Sequence, residues 1–155
     1  MNGYNTALIQ LPLVRESTGE HVRTPEDVGR VCADISGLAQ ESFHVLTLNA
    51  KNRLINRHLV SLGLADASLV HPREVFRSAI GADGACAVIL VHPSGDPAPS
   101  AEDLRITRQL VQAGRVVDIK VLDHVIIGRP IGVVDGQPGQ PGFLSLRESG
   151  LVSFD

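Results

Sequence analysis

Apolar positions along this chain follow two rhythms, one suited to strands and the other to helices. Phe43-His44-Val45-Leu46-Thr47-Leu48 combines branching with alternation and predicts a strand. After a turn at Asn49-Ala50-Lys51-Asn52, Leu54 to Leu64 predicts another strand region ending near Gly63. Ala87-Val88-Ile89-Leu90-Val91 is a short unbroken apolar run and reads as a buried strand. Ile119 to Gly128 alternates imperfectly around Asp123-His124, and Phe143-Leu144-Ser145-Leu146 returns the chain to the sheet. Residues 8–14 predict an N-terminal edge strand, with Pro12 confined to the edge or a bulge.

Helical spacing fills the intervals. Thr24-Pro25-Glu26-Asp27 supplies a cap, a first-turn proline and acids at the positive end of a helix. Val28, Val31, Cys32 and Ile35 form its apolar face, and Gly37 ends it. Pro72 opens a second helix through Ile80, with Val75, Phe76 and Ala79 inward, and His71 fixes its entry. The Gly81-Ala82-Asp83-Gly84 break follows. Ser100 caps a third helix with Asp103 at the capping-box position; Leu104, Leu110 and Val111 pack inward, and Gly114 closes it. Residues 129–142 carry three prolines and four glycines and read as a long turn-rich loop, and the last residues are expected to fray. Strands interleaved with helices make the fold class α/β, in the mixed α+β sense. The expected organisation is an extension over residues 1–20 ahead of one domain over 21–155.

Composition narrows the setting. A chain of 155 residues with 43% hydrophobic content can bury a core as one domain. Its net charge of -3, 3% aromatic content and lack of Trp give direct nucleic-acid binding little support. No apolar run reaches a membrane span and no signal-peptide core opens the chain, so a cytoplasmic protein without membrane contact is expected. Cys32 and Cys86 both sit in apolar patterns and read as reduced core thiols.

Candidate chemistry concentrates between the strand at 87–91 and the helix that follows. The loop His92-Pro93-Ser94-Gly95-Asp96-Pro97-Ala98-Pro99-Ser100-Ala101-Glu102-Asp103 places an imidazole at its mouth and a carboxylate at its far end. Both are suitable zinc ligands, but catalytic zinc normally takes three protein ligands plus water. A third ligand and a base must therefore come from elsewhere. Ser94 lacks the elbow and ordered triad of a serine nucleophile. His44 and His58 read as strand residues with one satisfied polar tip, and His124 as a residue orienting the site through a buried bond to Asp123.

The Val88–Asp103 run, Leu122-Asp123-His124-Val125-Ile126-Ile127-Gly128, Leu69 to Phe76, Glu41 to Ile55, Ser61-Leu62-Gly63 and Ser145 to Leu151 together resemble the RadC-like branch of the JAB1/MPN (JAMM) metalloprotease domain family. The resemblance spans roughly residues 21–151 and implies a curved mixed sheet flanked by helices, of cytidine-deaminase-like architecture, with one zinc ion. It implies that His92 and Asp103 are metal ligands and that Glu41 and Ser100 are catalytic. In that scheme Glu41 takes a proton from zinc-bound water and passes it toward the leaving amine, while Ser100 donates to the developing oxyanion.

One departure stands out. The family's strand ends H-N-H-P-S-G, whereas this chain reads Leu90-Val91-His92-Pro93-Ser94-Gly95, so the first histidine of the pair is missing. A gapless reading puts Leu90 in its place; the other reading has two residues absent before His92. The chain is then a metal-poor member, a member completed by His71 or His124, or a sequence lacking two residues of the natural chain. The implied function is zinc-dependent hydrolysis of a peptide or isopeptide amide in a protein substrate, impaired by the missing ligand. The alternatives are a noncatalytic protein-interaction domain on the same fold and an accessory role in DNA repair.

Overall fold

The strand rhythms resolve into a five-stranded mixed sheet in the computed structural model, which describes residues 19–36, 42–62, 70–96, 98–130, 133–134, 137–138 and 141–155. In chain order the elements are α1 (Pro25–Val31), a 3-10 turn (Ala33–Ile35), β1 (Ser42–Leu48), β2 (Leu54–Leu62), α2 (Pro72–Ile80) and β3 (Ala87–Pro93). They continue with α3 (Ala101–Val117), β4 (Lys120–Pro130), β5 (Val133–Val134), β6 (Gln137–Pro138), β7 (Pro141–Ser145) and α4 (Leu146–Ser149). The sheet order is β2-β1-β3-β4-β7, and β5 and β6 pair separately. Only β3 and β4 run parallel; the other neighbours in the large sheet are antiparallel. This is the mixed sheet with flanking helices that the sequence implied.

Cores lie on both faces of the sheet. Val45, Val88 and Leu90 pack with Val75 and Phe76 of α2 and Ile106 and Leu110 of α3. On the other face Leu46, Ile89, Val91 and Val125 pack with Val28 and Cys32 from the first helical segment. Every residue of β3 is buried, which explains its unbroken apolar run: a strand covered on two sides has no solvent face to mark with polar residues. Alternation persists in which core each side chain enters, and it puts Leu90 and His92 on the α3 face.

Several local expectations change. β3 continues through Pro93, so His92 belongs to the strand and not to the loop mouth. α3 runs on to Val117 and ends at Asp118 in a left-handed conformation (φ 57°), so Gly114 lies inside the helix. Gly114 is there for close approach: a Cβ would collide with the Ile119 carbonyl and lie 3.3 Å from both Phe76 and Val121. The 129–142 segment contains the β5–β6 pair and the start of β7. The C-terminal residues do not fray, since Val152 and Phe154 are buried in the α3-side core. Cys86 is exposed; only Cys32 is a core thiol. The expected 8–14 strand and the Gly37 helix stop lie outside the described residues.

Candidate metal centre

His92 and Asp103 converge although eleven positions separate them. β3 carries His92 to the α3 face, and Ser100 begins α3 with a reciprocal capping box that fixes Asp103. The Asp103 amide donates to Ser100 Oγ at 3.1 Å, and the Ser100 amide donates to Asp103 Oδ2 at 2.9 Å. Those bonds turn the other oxygen toward the strand, where Oδ1 faces His92 Nε2 at 3.7 Å. The two side chains are only 11% and 12% exposed, so a cation held between them would be weakly screened by solvent. Two ligands on a tetrahedral zinc, each ~2.0–2.1 Å from the ion, stand about 3.3 Å apart, close to the separation found.

Behind His92 lies a buried polar chain. Its Nδ1 is 2.8 Å from Nε2 of His124, and His124 Nδ1 is 2.6 Å from Thr107 Oγ1. Thr107 in turn donates to the main-chain carbonyl of Asp103 at 2.6 Å. Burial pushes His124 well below its ordinary value, and His92 beside it pushes the same way. Phe43 of β1 stacks on the His92 ring at 6.2 Å and meets His124 edge-on at 5.6 Å. An apolar wall on one side and bonded partners behind leave the imidazole one defined orientation.

Asp123 does not orient the His124 ring, contrary to expectation. Its Oδ1 accepts the main-chain amides of His124 and Arg147, at 2.7 and 3.1 Å, and its Oδ2 accepts Ser145 Oγ at 2.6 Å. Burial raises the Asp123 pKa, while the Ser145 and amide bonds oppose that rise. The aspartate therefore ties β4 to the start of α4, and the His124 side chain leaves on the opposite face.

Ser100 stands at the helix cap, exposed, beside Asp103. Glu41 lies outside the described residues, immediately before β1. Leu90, the gapless counterpart of the missing histidine, is fully buried in the apolar core. His71 is exposed at the start of α2. Among the described residues no three His, Cys, Asp or Glu side chains form a metal-binding group, so neither His71 nor His124 completes one. The donor types and spacing of His92 and Asp103 fit zinc, but among the described residues they are one protein ligand short of a catalytic site.

His44 and His58 are satisfied locally, as expected. His44 Nε2 bonds Ser42 Oγ at 2.9 Å, and burial lowers its pKa. His58 Nε2 meets Asp83 Oδ2 at 2.5 Å. Sequence reasoning missed Thr107 and Phe43. A usable signal existed for the first: four positions after Asp103 on one helix, Thr107 must share its face.

A profile of the RadC-like JAB domain matches residues 22–151. A UPF0758 protein of Symbiobacterium thermophilum is 54% identical over 118 residues, covering 75% of this chain and 45% of that protein. UPF0758 proteins of Halalkalibacterium halodurans and Caldanaerobacter subterraneus are 44% and 43% identical, covering 86% and 92% of this chain and 53% and 58% of theirs. The chain thus spans about half the length of these curated relatives. No described helix is long and apolar enough to cross a membrane. With the matched profile, these identities and the mixed sheet in agreement, the chain belongs to the RadC-like JAB (MPN) domain family.

Proposed function

We propose that this domain is a JAMM-type zinc hydrolase unit for peptide or isopeptide amides whose metal centre lacks one protein ligand, leaving zinc loosely held and hydrolysis impaired. The observation that carries this reading is the convergence of His92 Nε2 and Asp103 Oδ1, 3.7 Å apart and shielded from solvent. Zinc bound there supplies Lewis acidity toward an amide carbonyl and toward water. Glu41 is the proposed base, taking a proton at its carboxylate and returning it to the leaving amine. Its place in the sequence supports the role: Glu41 stands two positions before Phe43, whose ring stacks on His92. Ser100 accepts the Asp103 amide through Oγ, and its own hydrogen remains to be donated to an oxyanion.

Zinc titration by calorimetry at neutral pH tests the centre. The expected result is binding that a chelator readily reverses and that His92→Ala or Asp103→Ala abolishes. Binding untouched by both substitutions would remove His92 and Asp103 from the reading. Cleavage of peptide and isopeptide substrates with added zinc tests the chemistry, with Glu41→Gln expected to lose turnover while keeping metal.

A noncatalytic interaction domain is the second reading, and the buried Leu90 favours it. Zinc-independent binding of a protein partner, unchanged in Asp103→Ala, would support that reading over hydrolysis.

A further inference from the structure

We propose that Thr107 and His124 are positioning residues: they hold the His92 ring in its Nδ1–H tautomer, so that Nε2 presents its lone pair toward Asp103. The inference rests on the zinc-site reading for its purpose, but it follows from counting hydrogens along the Thr107, His124 and His92 contacts. Thr107 has one hydroxyl hydrogen, directed at the Asp103 main-chain carbonyl at 2.6 Å. Its oxygen must therefore accept at the 2.6 Å contact with His124, which places a hydrogen on His124 Nδ1. His124 is completely buried, and an imidazolium there would lose its hydration. A neutral ring protonated at Nδ1 accepts at Nε2, so the 2.8 Å contact requires His92 to donate from Nδ1.

The opposite sense fails at Thr107, whose oxygen would then stand 2.6 Å from a carbonyl oxygen with no hydrogen between them. It would turn the Thr107 hydrogen from a main-chain carbonyl to an imidazole. A single threonine hydroxyl thus selects, two residues away, which nitrogen of a candidate ligand is basic. The stacked Phe43 fixes the plane of that ring, and the relay fixes its protonation.

The test is a long-range proton–nitrogen correlation spectrum of metal-free protein carrying 15N histidine, which distinguishes the two tautomers directly. His92 is expected as Nδ1–H in the wild type and in Thr107→Ser, which keeps the hydroxyl. In Thr107→Val the population shifts toward Nε2–H, and zinc affinity falls about 10- to 100-fold, as when an outer partner of a metal-bound histidine is removed. A wild-type His92 protonated at Nε2 would overturn the inference without any variant. So would a Thr107→Val protein with the wild-type tautomer. If the wild type takes up no zinc, the zinc-site reading fails, yet the metal-free spectra still decide the tautomer.

Discussion

Giving the site a second imidazole can be done in two ways, and the structure assigns them different costs. Leu90→His follows the gapless alignment. Leu90 is fully buried and pairs across the sheet with His124, so the substitution removes a core leucine and sets a second polar ring against the first. Lost burial and a poorly solvated ring make this cost about 2–4 kcal/mol. For a domain of this size that lowers Tm by roughly 4–16 °C. Inserting His-Asn between Val91 and His92 restores the pattern His-Asn-His-Pro and leaves Leu90 in the core. Two residues add about 6.6 Å to the strand and a full period of its alternation, so both histidines keep the α3 face. Four-ligand structural zinc sites bind with ~10–16 kcal/mol, or roughly 3 kcal/mol per ligand, so a third ligand should tighten zinc about 100-fold. Zinc at a hundred times its Kd would then raise stability by about 2.7 kcal/mol. Calorimetric titration and thermal melts, with and without zinc, read both quantities. The insertion variant should bind tightly and melt near the wild type without metal, whereas Leu90→His should melt well below it. Equal metal-free melting of the two variants would refute the core-leucine argument. Failure of both to exceed wild-type affinity would refute the missing-ligand argument.

Other consequences are more local. Gly114→Ala places a methyl against the Ile119 carbonyl and should cost about 1–3 kcal/mol in urea unfolding; wild-type stability would show that α3 and β4 separate easily. A disulfide-exchange reagent should titrate Cys86 rapidly in the folded protein and Cys32 only after denaturation. Cys32 is buried, and that burial pushes its thiol up to about 11; two fast thiols would contradict this. Asp34 is held below its ordinary value chiefly by its bonds from Arg57, at 2.6 and 2.7 Å. A depressed folded pKa stabilises above the unfolded value and loses that contribution as pH falls through the folded one. The stability gap between wild type and Arg57→Met should therefore shrink in acid, and a gap constant from neutrality to below pH ~3 would count against the pair.

How legible each feature was depended on how local its cause is. Thr24 and Ser100 announced their helices because capping is settled within four residues, and both form reciprocal boxes. Gly114 misled because glycine ends helices more often than it admits a neighbouring backbone, and that neighbour is Ile119, just ahead of β4. Cys86 sits before an apolar run, yet its exposure is decided by where β3 enters the sheet. At the site, the family pattern pointed to His92, Ser100 and Asp103, which the fold brings together, but the relay behind His92 was hidden. Asp123 adjoins His124 in sequence and invited pairing; strand alternation instead sends their side chains to opposite faces. Thr107 and Phe43 reach the imidazoles from other elements, so their part emerges only after the chain is folded.

Asp103 divides its carboxylate between two tasks: one oxygen holds the first turn of α3 and the other faces His92. Drift therefore does not act freely on this position. A lineage that had abandoned hydrolysis would still suffer for losing the residue, since an unmade helix cap costs about 1 kcal/mol. Thr107 is bound in the same way, bracing its own helix while serving the imidazole. The remains of such a centre would outlive its chemistry as masonry. On the gapless reading, the ligand position free to disappear is the one whose occupant, Leu90, lies in the core.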